Sequence, residues 1–228
     1  KIITIEDPVE YELSGVNQIP VNPKRGLTFA TGLRSILRQD PDVIMVGEIR
    51  DRETADIAVR SALTGHLLFS PLHTHDAVSA VARLLDMGVE PFLLASVLEG
   101  VLAQRLGRRV CSACAIKRPI PEATLHRMTE EERSLFPDGM STVGVGCDEC
   151  NNTGHKGRVG YYEVIDVSPA LRGAIGERAT TPELNRISGH VPMRRDGMLK
   201  AVAGETTIDA VLRATQDVDD AAALNGGA

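Results

Sequence analysis

The feature that most constrains the fold is a run of four apolar residues, Val43–Val46, followed directly by Gly47-Glu48. Such a run, rich in β-branched residues and stopped by glycine, predicts a strand covered on both faces, as in a parallel sheet. Glu48 then follows the carboxyl end of the strand, which is the edge where open α/β sheets bind ligands. Two interpretations stand: a solvated acid, or a group that handles Mg²⁺ or the attacking water in a nucleotide hydrolase.

Strand-like and helix-like patterns alternate through the first hundred residues. Strands are predicted at residues 2–5, 43–46 and 67–69. Helices are predicted to begin after the N-caps Thr28, Asp51 and Asp76, and at Pro91 with an end near Leu106. This alternation predicts an α/β fold with mainly parallel strands and flanking helices.

Carboxylates follow two of the predicted strands. Glu6, Asp7 and Glu10 come after the first strand, and Glu48 after the second. If the strands are neighbours, these acids repel one another unless a cation such as Mg²⁺ lies between them. One glutamate can then take a proton from water while the others hold the water shell of the metal. His73 follows the third strand, where it is either an ordinary surface histidine or a hydrogen-bond donor to a γ-phosphate.

Three further basic residues are candidates for nucleotide contact. Arg34 and Arg38 lie one turn apart on a predicted helix. They form either a solvated face or a charge that reaches a phosphate, including one held by a neighbouring subunit. His66 closes the next helix, where a histidine at a C-terminus needs no ligand to explain it.

Four cysteines form two C-x-x-C pairs, Cys111/Cys114 and Cys147/Cys150. Without a recognisable secretion signal, such pairs favour zinc over disulfides, and four thiolates fill a tetrahedral shell with no open position. Residues 115–146 must then loop out between the pairs. Two alternatives are redox-active pairs and a site in which His155 replaces one thiolate.

Helices in the second half are predicted to begin at Thr129, Ser168-Pro169, Thr181-Pro182 and Thr206. The net charge of −6 and the aromatic content of 3% do not indicate a basic or aromatic surface for binding nucleic acid. The chain has no run of about 18 apolar residues. Because Lys1 opens directly into a strand, we expect that upstream sequence is missing.

The motifs resemble those of the secretion ATPases that drive type II secretion and type IV pilus assembly. Residues 3–11, ITIEDPVEY, are similar to their Asp box. Residues 37–51 resemble their atypical Walker B motif, with Gly47 where other ATPases carry Asp, and residues 64–74 resemble their His box. The cysteine pairs followed by residues 154–163 resemble the zinc-bearing C-terminal region of the family.

The resemblance implies a homo-hexameric, RecA-like ATPase that uses ATP, Mg²⁺ and Zn²⁺. It would lie in the cytoplasm, peripheral to the inner membrane, with a membrane platform protein and a cytoplasmic adaptor as partners. Glu10 would be the general base, supported by Glu6 and Asp7. Glu48 would handle Mg²⁺ or the lytic water, next to Gly47 at the nucleotide, and His73 would sense the γ-phosphate. Zinc would be bound by Cys111, Cys114, Cys147 and Cys150, a feature that retraction motors generally lack.

The change of pattern along the chain, together with the resemblance, suggests a division into four parts. These are a partial RecA-like core (1–107), a tetracysteine region with a helical insertion (108–162), a helical region (163–216) and a flexible tail (217–228). The zinc-stapled C-terminal region is expected to be mostly helical.

Two departures from the family pattern affect function. The usual STLHTN reads SPLHTH at residues 70–75, and Pro71 removes a backbone donor close to His73. No G-x-x-x-x-G-K-[ST] phosphate loop occurs in these residues, and in the family it lies upstream of the Asp box. The 228 residues alone are therefore expected to turn over no ATP. The alternative is a non-catalytic, zinc-stapled adaptor on a degenerate ATPase core.

Overall fold

The structure is a computed structural model that describes residues 1–216. The predicted flexible tail, 217–228, lies outside the described residues. The strands are β1 Ile2–Glu6, β2 Val16–Pro20, β3 Val43–Val46, β4 Leu67–Phe69, β5 Gly100–Val110, β6 Ala115–Pro119, β7 Met140–Gly144 and β8 His155–Asp166. The helices are α1 Phe29–Leu37, α2 Arg52–Leu63, α3 Ala77–Asp86, α4 Pro91–Val97, α5 Glu122–Leu125, α6 Glu130–Ser134, α7 Pro169–Gly176, α8 Thr181–Ser188, α9 Met193–Val202 and α10 Ile208–Ala214.

The chain divides into two compact units. Unit 1 comprises Lys1–Val101 and Asp166–Gly189, and unit 2 comprises Leu102–Ile165 and the chain from His190 onwards. These boundaries differ from the predicted divisions at 107 and 162. The reason is that α7 and α8 return to unit 1, where α7 packs against α4 and α8 against α3.

Unit 1 contains a four-stranded parallel sheet in the order β2-β1-β3-β4. Ile3 and Ile5 of β1 and Ile44 and Val46 of β3 form its buried centre. Because Ile5 pairs with Val46 across β1 and β3, the residues that follow these strands meet at one edge. The predicted parallel α/β arrangement is confirmed.

The predicted N-caps of unit 1 are confirmed. The side chains of Thr28, Asp51 and Asp76 accept hydrogen bonds from the backbone N–H three residues later, which begins α1, α2 and α3. α1 packs very closely on the sheet. A Cβ at Gly32 would lie only 2.0 Å from Ile5 Cδ1, so any other residue here would displace the buried Ile5 side chain.

One prediction near the middle of the chain was wrong. The helix from Pro91 ends at Val97, not near Leu106, and β5 begins at Gly100. β5 pairs with β8, more than fifty residues later, and this distant partner overrides the local helical pattern. β2 was not predicted, and α10 is capped by Thr207 rather than begun at Thr206.

Unit 2 contains more strand than expected, since β5 pairs with β8 and β6 with β7. The expectation of a mostly helical region therefore needs correction. Tyr161 of β8 is fully buried in its core, and its hydroxyl lies 2.7 Å from Thr206 Oγ1. Within residues 1–216, none of the helices is long and apolar enough to cross a membrane.

Candidate nucleotide and metal sites

Two buried carboxylates lie at adjacent strand ends in unit 1. Glu6 ends β1 and Glu48 follows β3, and they are 9% and 8% exposed. Gly47 N donates to Ile5 O at 2.7 Å, which extends the pairing of the two strands by one residue. A Cβ at Gly47 would lie 3.0 Å from Ile5 O and 3.1 Å from Glu6 Cα. Glycine at this position therefore allows Glu48 to follow the strand so close to β1.

The Glu48 carboxylate is held by two side chains. Arg50 donates through Nε to Glu48 Oε2, and His73 Nε2 lies 3.1 Å from the same oxygen. Both partners are mostly exposed, whereas Glu48 is buried. His73, which follows the third strand, therefore meets Glu48 at this edge of the sheet. Arg50 was missed, although its position two residues after Glu48 could have indicated the pair.

The Glu6 carboxylate is held from its own strand and from β2. The Thr4 hydroxyl and Gln18 Nε2 both donate to Glu6 Oε1, the latter at 2.9 Å. Gln18 was not a predicted site residue because β2 was not predicted.

The other predicted acids lie on the loop between β1 and β2. Asp7 and Glu10 are exposed, and neither makes a hydrogen bond or ion pair with any residue that the structure describes. Their catalytic roles remain predictions.

Within residues 1–216, the predicted basic candidates have local partners or none. Arg34 Nη2 donates to Glu53 Oε1 of α2 at 2.7 Å, and Arg38 is exposed. His66 Nδ1 lies 3.0 Å from Ser61 O and 3.1 Å from Thr64 Oγ1, so it caps the end of α2. The geometry agrees with the interpretation of His66 that needs no ligand.

The four cysteine sulfurs in unit 2 form one cluster. All four lie within 4.8 Å of one another. The separations are 3.8 Å for Cys111–Cys147, 3.9 Å for Cys114–Cys150 and 3.7 Å for Cys147–Cys150. A tetrahedral site with Zn–S bonds of about 2.3 Å has S–S edges of about 3.8 Å. The three separations match this edge length, so the cluster fits a zinc ion.

Backbone N–H groups point at two of the sulfurs. Gly146 N donates to Cys114 Sγ at 3.3 Å, and Cys147 N and Gly154 N donate to Cys150 Sγ at 3.3 and 3.2 Å. Burial opposes ionisation of Cys150, but these N–H groups lower its pKa to about 6. Burial, followed by the hydrogen bond with Cys150, raises the pKa of Cys147 to about 11.

The two alternatives for this cluster fit less well. All four cysteines are free, and a disulfide would need one pair of sulfurs to approach to about 2.05 Å. Among the described residues, the group able to hold a metal consists of the four cysteines and does not include His155. The donor set suits a closed, structural zinc site.

Comparison with known proteins gives consistent matches. The family described as "Type II/IV secretion system protein" matches residues 1–213. Type II secretion system protein E of Aeromonas hydrophila is 51% identical over 218 residues, covering 95% of this chain and 43% of that protein. The type IV pilus assembly ATPase PilB of Thermus thermophilus is 51% identical over 216 residues, covering 93% and 24%. The chain thus spans less than half the length of these curated relatives.

Solved structures agree with these matches. The pilus retraction motor PilT with bound ADP superposes with a TM-score of 0.68 at 28% identity, covering 96% of this chain and 53% of that chain. The Legionella pneumophila ATPase DotB has a TM-score of 0.61 at 21% identity, covering 92% and 50%, which supports the fold alone.

Proposed function

Because the chain belongs to the type II/IV secretion system protein family, we propose that it forms part of an ATP-hydrolysing motor subunit. The motor would power type II protein secretion or type IV pilus assembly. The observation that carries this proposal is the pair of buried carboxylates, Glu6 and Glu48, at adjacent ends of parallel strands. Such an edge is the usual ligand site of open α/β sheets.

The chemistry follows from what each side chain can do. Mg²⁺ bound with a nucleotide would offset the repulsion between Glu6 and Glu48. Glu48, already held by Arg50 and His73, would orient the metal's water shell or the attacking water. Glu10 on the exposed loop would accept the proton of that water, with Asp7 beside the site. His73 would donate a hydrogen bond to the γ-phosphate, which requires it to exchange its contact with Glu48 for the nucleotide.

The cysteine cluster would bind zinc in a structural role. The support is the match between the sulfur separations and the edges of a tetrahedral site. Zinc would hold the ends of the segment 115–146 together, since it joins β6 and the residues after β7 to one point.

The assembly and location are proposed from the family. The motor would be a homo-hexamer in the cytoplasm, peripheral to the inner membrane, acting with a platform protein and an adaptor rather than with nucleic acid. Arg34 and Arg38 would lie on the surface that approaches the nucleotide of a neighbouring subunit. In that case Arg34 would leave its exposed partner Glu53, at little cost, since exposed ion pairs are worth about 0–1 kcal/mol.

The proposal predicts a difference between the 228 residues alone and a longer chain. The 228 residues contain no phosphate-loop sequence, so they should show no ATP turnover above background. A chimaera that joins the upstream part of the Aeromonas hydrophila relative to this chain should hydrolyse ATP in the presence of Mg²⁺. The intact relative is the positive control, and zinc content and thermal unfolding check that the chimaera folds.

Two outcomes would count against the proposal. Robust turnover by the 228 residues alone would refute the inactivity of this part. A folded chimaera that binds nucleotide but hydrolyses none, beside an active intact relative, would instead support the non-catalytic adaptor.

A further inference from the structure

We propose that Gln18 is a positioning residue that connects Glu6 to the loop carrying Glu10. The inference rests on the proposed function, since it assigns Gln18 a task in the same nucleotide site. Gln18 itself does not reach the reacting atoms in this proposal. It acts by fixing two groups that do.

The geometry around Gln18 is a three-way connection. Its Nε2 donates to Glu6 Oε1 at 2.9 Å and to Tyr11 O at 3.0 Å, and its Oε1 accepts from Leu13 N at 2.7 Å. A carboxamide has two donors and two acceptor lone pairs, so three of its four hydrogen-bonding positions are used. No other uncharged side chain of this length both donates twice and accepts, which explains why glutamine suits the position.

The strand register explains how Gln18 reaches Glu6. Gln18 pairs with Thr4 across β2 and β1. Residues two apart on a strand share a face, so Thr4, Glu6 and Gln18 all lie on the same face of the sheet. Thr4 and Gln18 accordingly donate to the same oxygen of Glu6.

The loop between β1 and β2 depends on Gln18 for its hydrogen bonds. Within the part of the chain that the structure describes, residues 7–12 make one hydrogen bond, which Gln18 donates to Tyr11 O. The next residue, Leu13, has its N–H held by the same side chain. Glu10 is exposed and has no partner of its own among the described residues. Its position is therefore set through the backbone that Gln18 holds.

Two substitutions separate positioning from simple strand stability. Gln18→Ala removes all three bonds. Gln18→Glu keeps an acceptor for Leu13 N but loses both donors and sets a second carboxylate against Glu6. Asn17→Asp is the matched control, because it makes the same amide-to-acid change one residue away, on the opposite face of β2 and exposed.

The first test uses the 228-residue chain and needs no activity. Amide hydrogen exchange should show Leu13 exchanging about tenfold faster in Gln18→Ala, as loss of a hydrogen bond of ordinary strength predicts. Asn17→Asp should leave the Leu13 exchange unchanged. Unchanged Leu13 exchange in Gln18→Ala would overturn the connection.

The second test uses the chimaera described above. Gln18→Ala should lower kcat about tenfold with KM within twofold, because the loop binds no substrate group directly but orients Glu10. Gln18→Glu, which also loses both donors, should lower kcat in the same way, while Asn17→Asp keeps the kcat of the unsubstituted chimaera. If both Gln18 variants hydrolyse ATP at the rate of the unsubstituted chimaera, the positioning role is overturned.

The two tests also separate this inference from the proposed function. If the unsubstituted chimaera is folded but hydrolyses no ATP, the proposed function fails. The Leu13 exchange would still decide whether the Gln18 side chain holds the loop.

Discussion

Replacing one zinc ligand should release the metal and destabilise unit 2. In Cys114→Ser the buried thiolate, 8% exposed, is replaced by a hydroxyl that is a poor zinc ligand at neutral pH. The three remaining sulfurs then leave one corner of the tetrahedron empty. Ser112→Ala is the matched control, because Ser112 lies between the two cysteines but is exposed and outside the cluster.

The size of the effect follows from linkage. Zinc at a free concentration of 100 times its Kd stabilises the folded form by about 2.7 kcal/mol. In a unit of the size of unit 2, each 1 kcal/mol shifts Tm by about 4–8 °C. Cys114→Ser should therefore unfold about 10–20 °C below the unsubstituted protein, and tighter binding would widen the gap.

The assay combines elemental analysis with scanning calorimetry of protein purified without chelator. One equivalent of zinc per chain is expected for the unsubstituted protein and for Ser112→Ala, and much less for Cys114→Ser. EDTA should lower the Tm of the first two but leave Cys114→Ser unchanged. Less than half an equivalent of zinc in the unsubstituted protein, together with four free thiols, would refute the zinc site.

Two predictions concern the stability of unit 2. Burial raises the pKa of the Glu132 carboxyl, but its bidentate hydrogen bonding with Arg194 outweighs burial and keeps that pKa below its usual value. The stability gained from this contact is fully present above the unfolded pKa of about 4.3 and is lost as pH falls through the lower folded value. Arg194→Met should therefore lower the free energy of unfolding by about 2 kcal/mol at pH 7, and that free energy should then fall less steeply as the pH is lowered. An equal loss at pH 3 and pH 7 in urea unfolding would contradict this. Gly107→Ala should cost about 3 kcal/mol, because its Cβ would lie 1.9 Å from the hydroxyl of buried Tyr161. Gly173→Ala, where a Cβ meets nothing within 4 Å, should be neutral or stabilising, and similar Tm values for both variants would disprove the packing explanation.

Features governed by neighbouring residues could be predicted from the sequence. The caps at Thr28, Asp51 and Asp76 depend on a side chain and a backbone N–H three residues apart, so local chemistry suffices to identify them. The strand Val43–Val46 was evident because a buried parallel strand needs an unbroken apolar run. The cysteine cluster was evident because its spacing is itself the chemical signal.

Features governed by distant partners could not be predicted in this way. β2, VNQIP, has no apolar run and is a strand because it pairs with β1. β5 has a helix-like apolar pattern but pairs with β8. Missing β2 also meant missing Gln18, whose importance appears only when the register sets it opposite Thr4. The prediction of acids at one sheet edge succeeded for Glu6 and Glu48, which belong to or directly follow strands, while Glu10 lies on a loop whose path no pattern specifies.

The central claim is that Glu48 belongs to a site for Mg²⁺ and nucleotide. Glu48→Gln in the chimaera tests it most directly, because glutamine keeps the size of the side chain but removes the charge. Glu177→Gln, an exposed acid of unit 1, is the matched control. We expect Glu48→Gln to lower kcat for ATP at least 100-fold, within the range of about 10²–10⁴ for acid–base groups, while Glu177→Gln hydrolyses ATP as the unsubstituted chimaera does. ATP hydrolysis by a folded Glu48→Gln chimaera at the unsubstituted rate would contradict the claim.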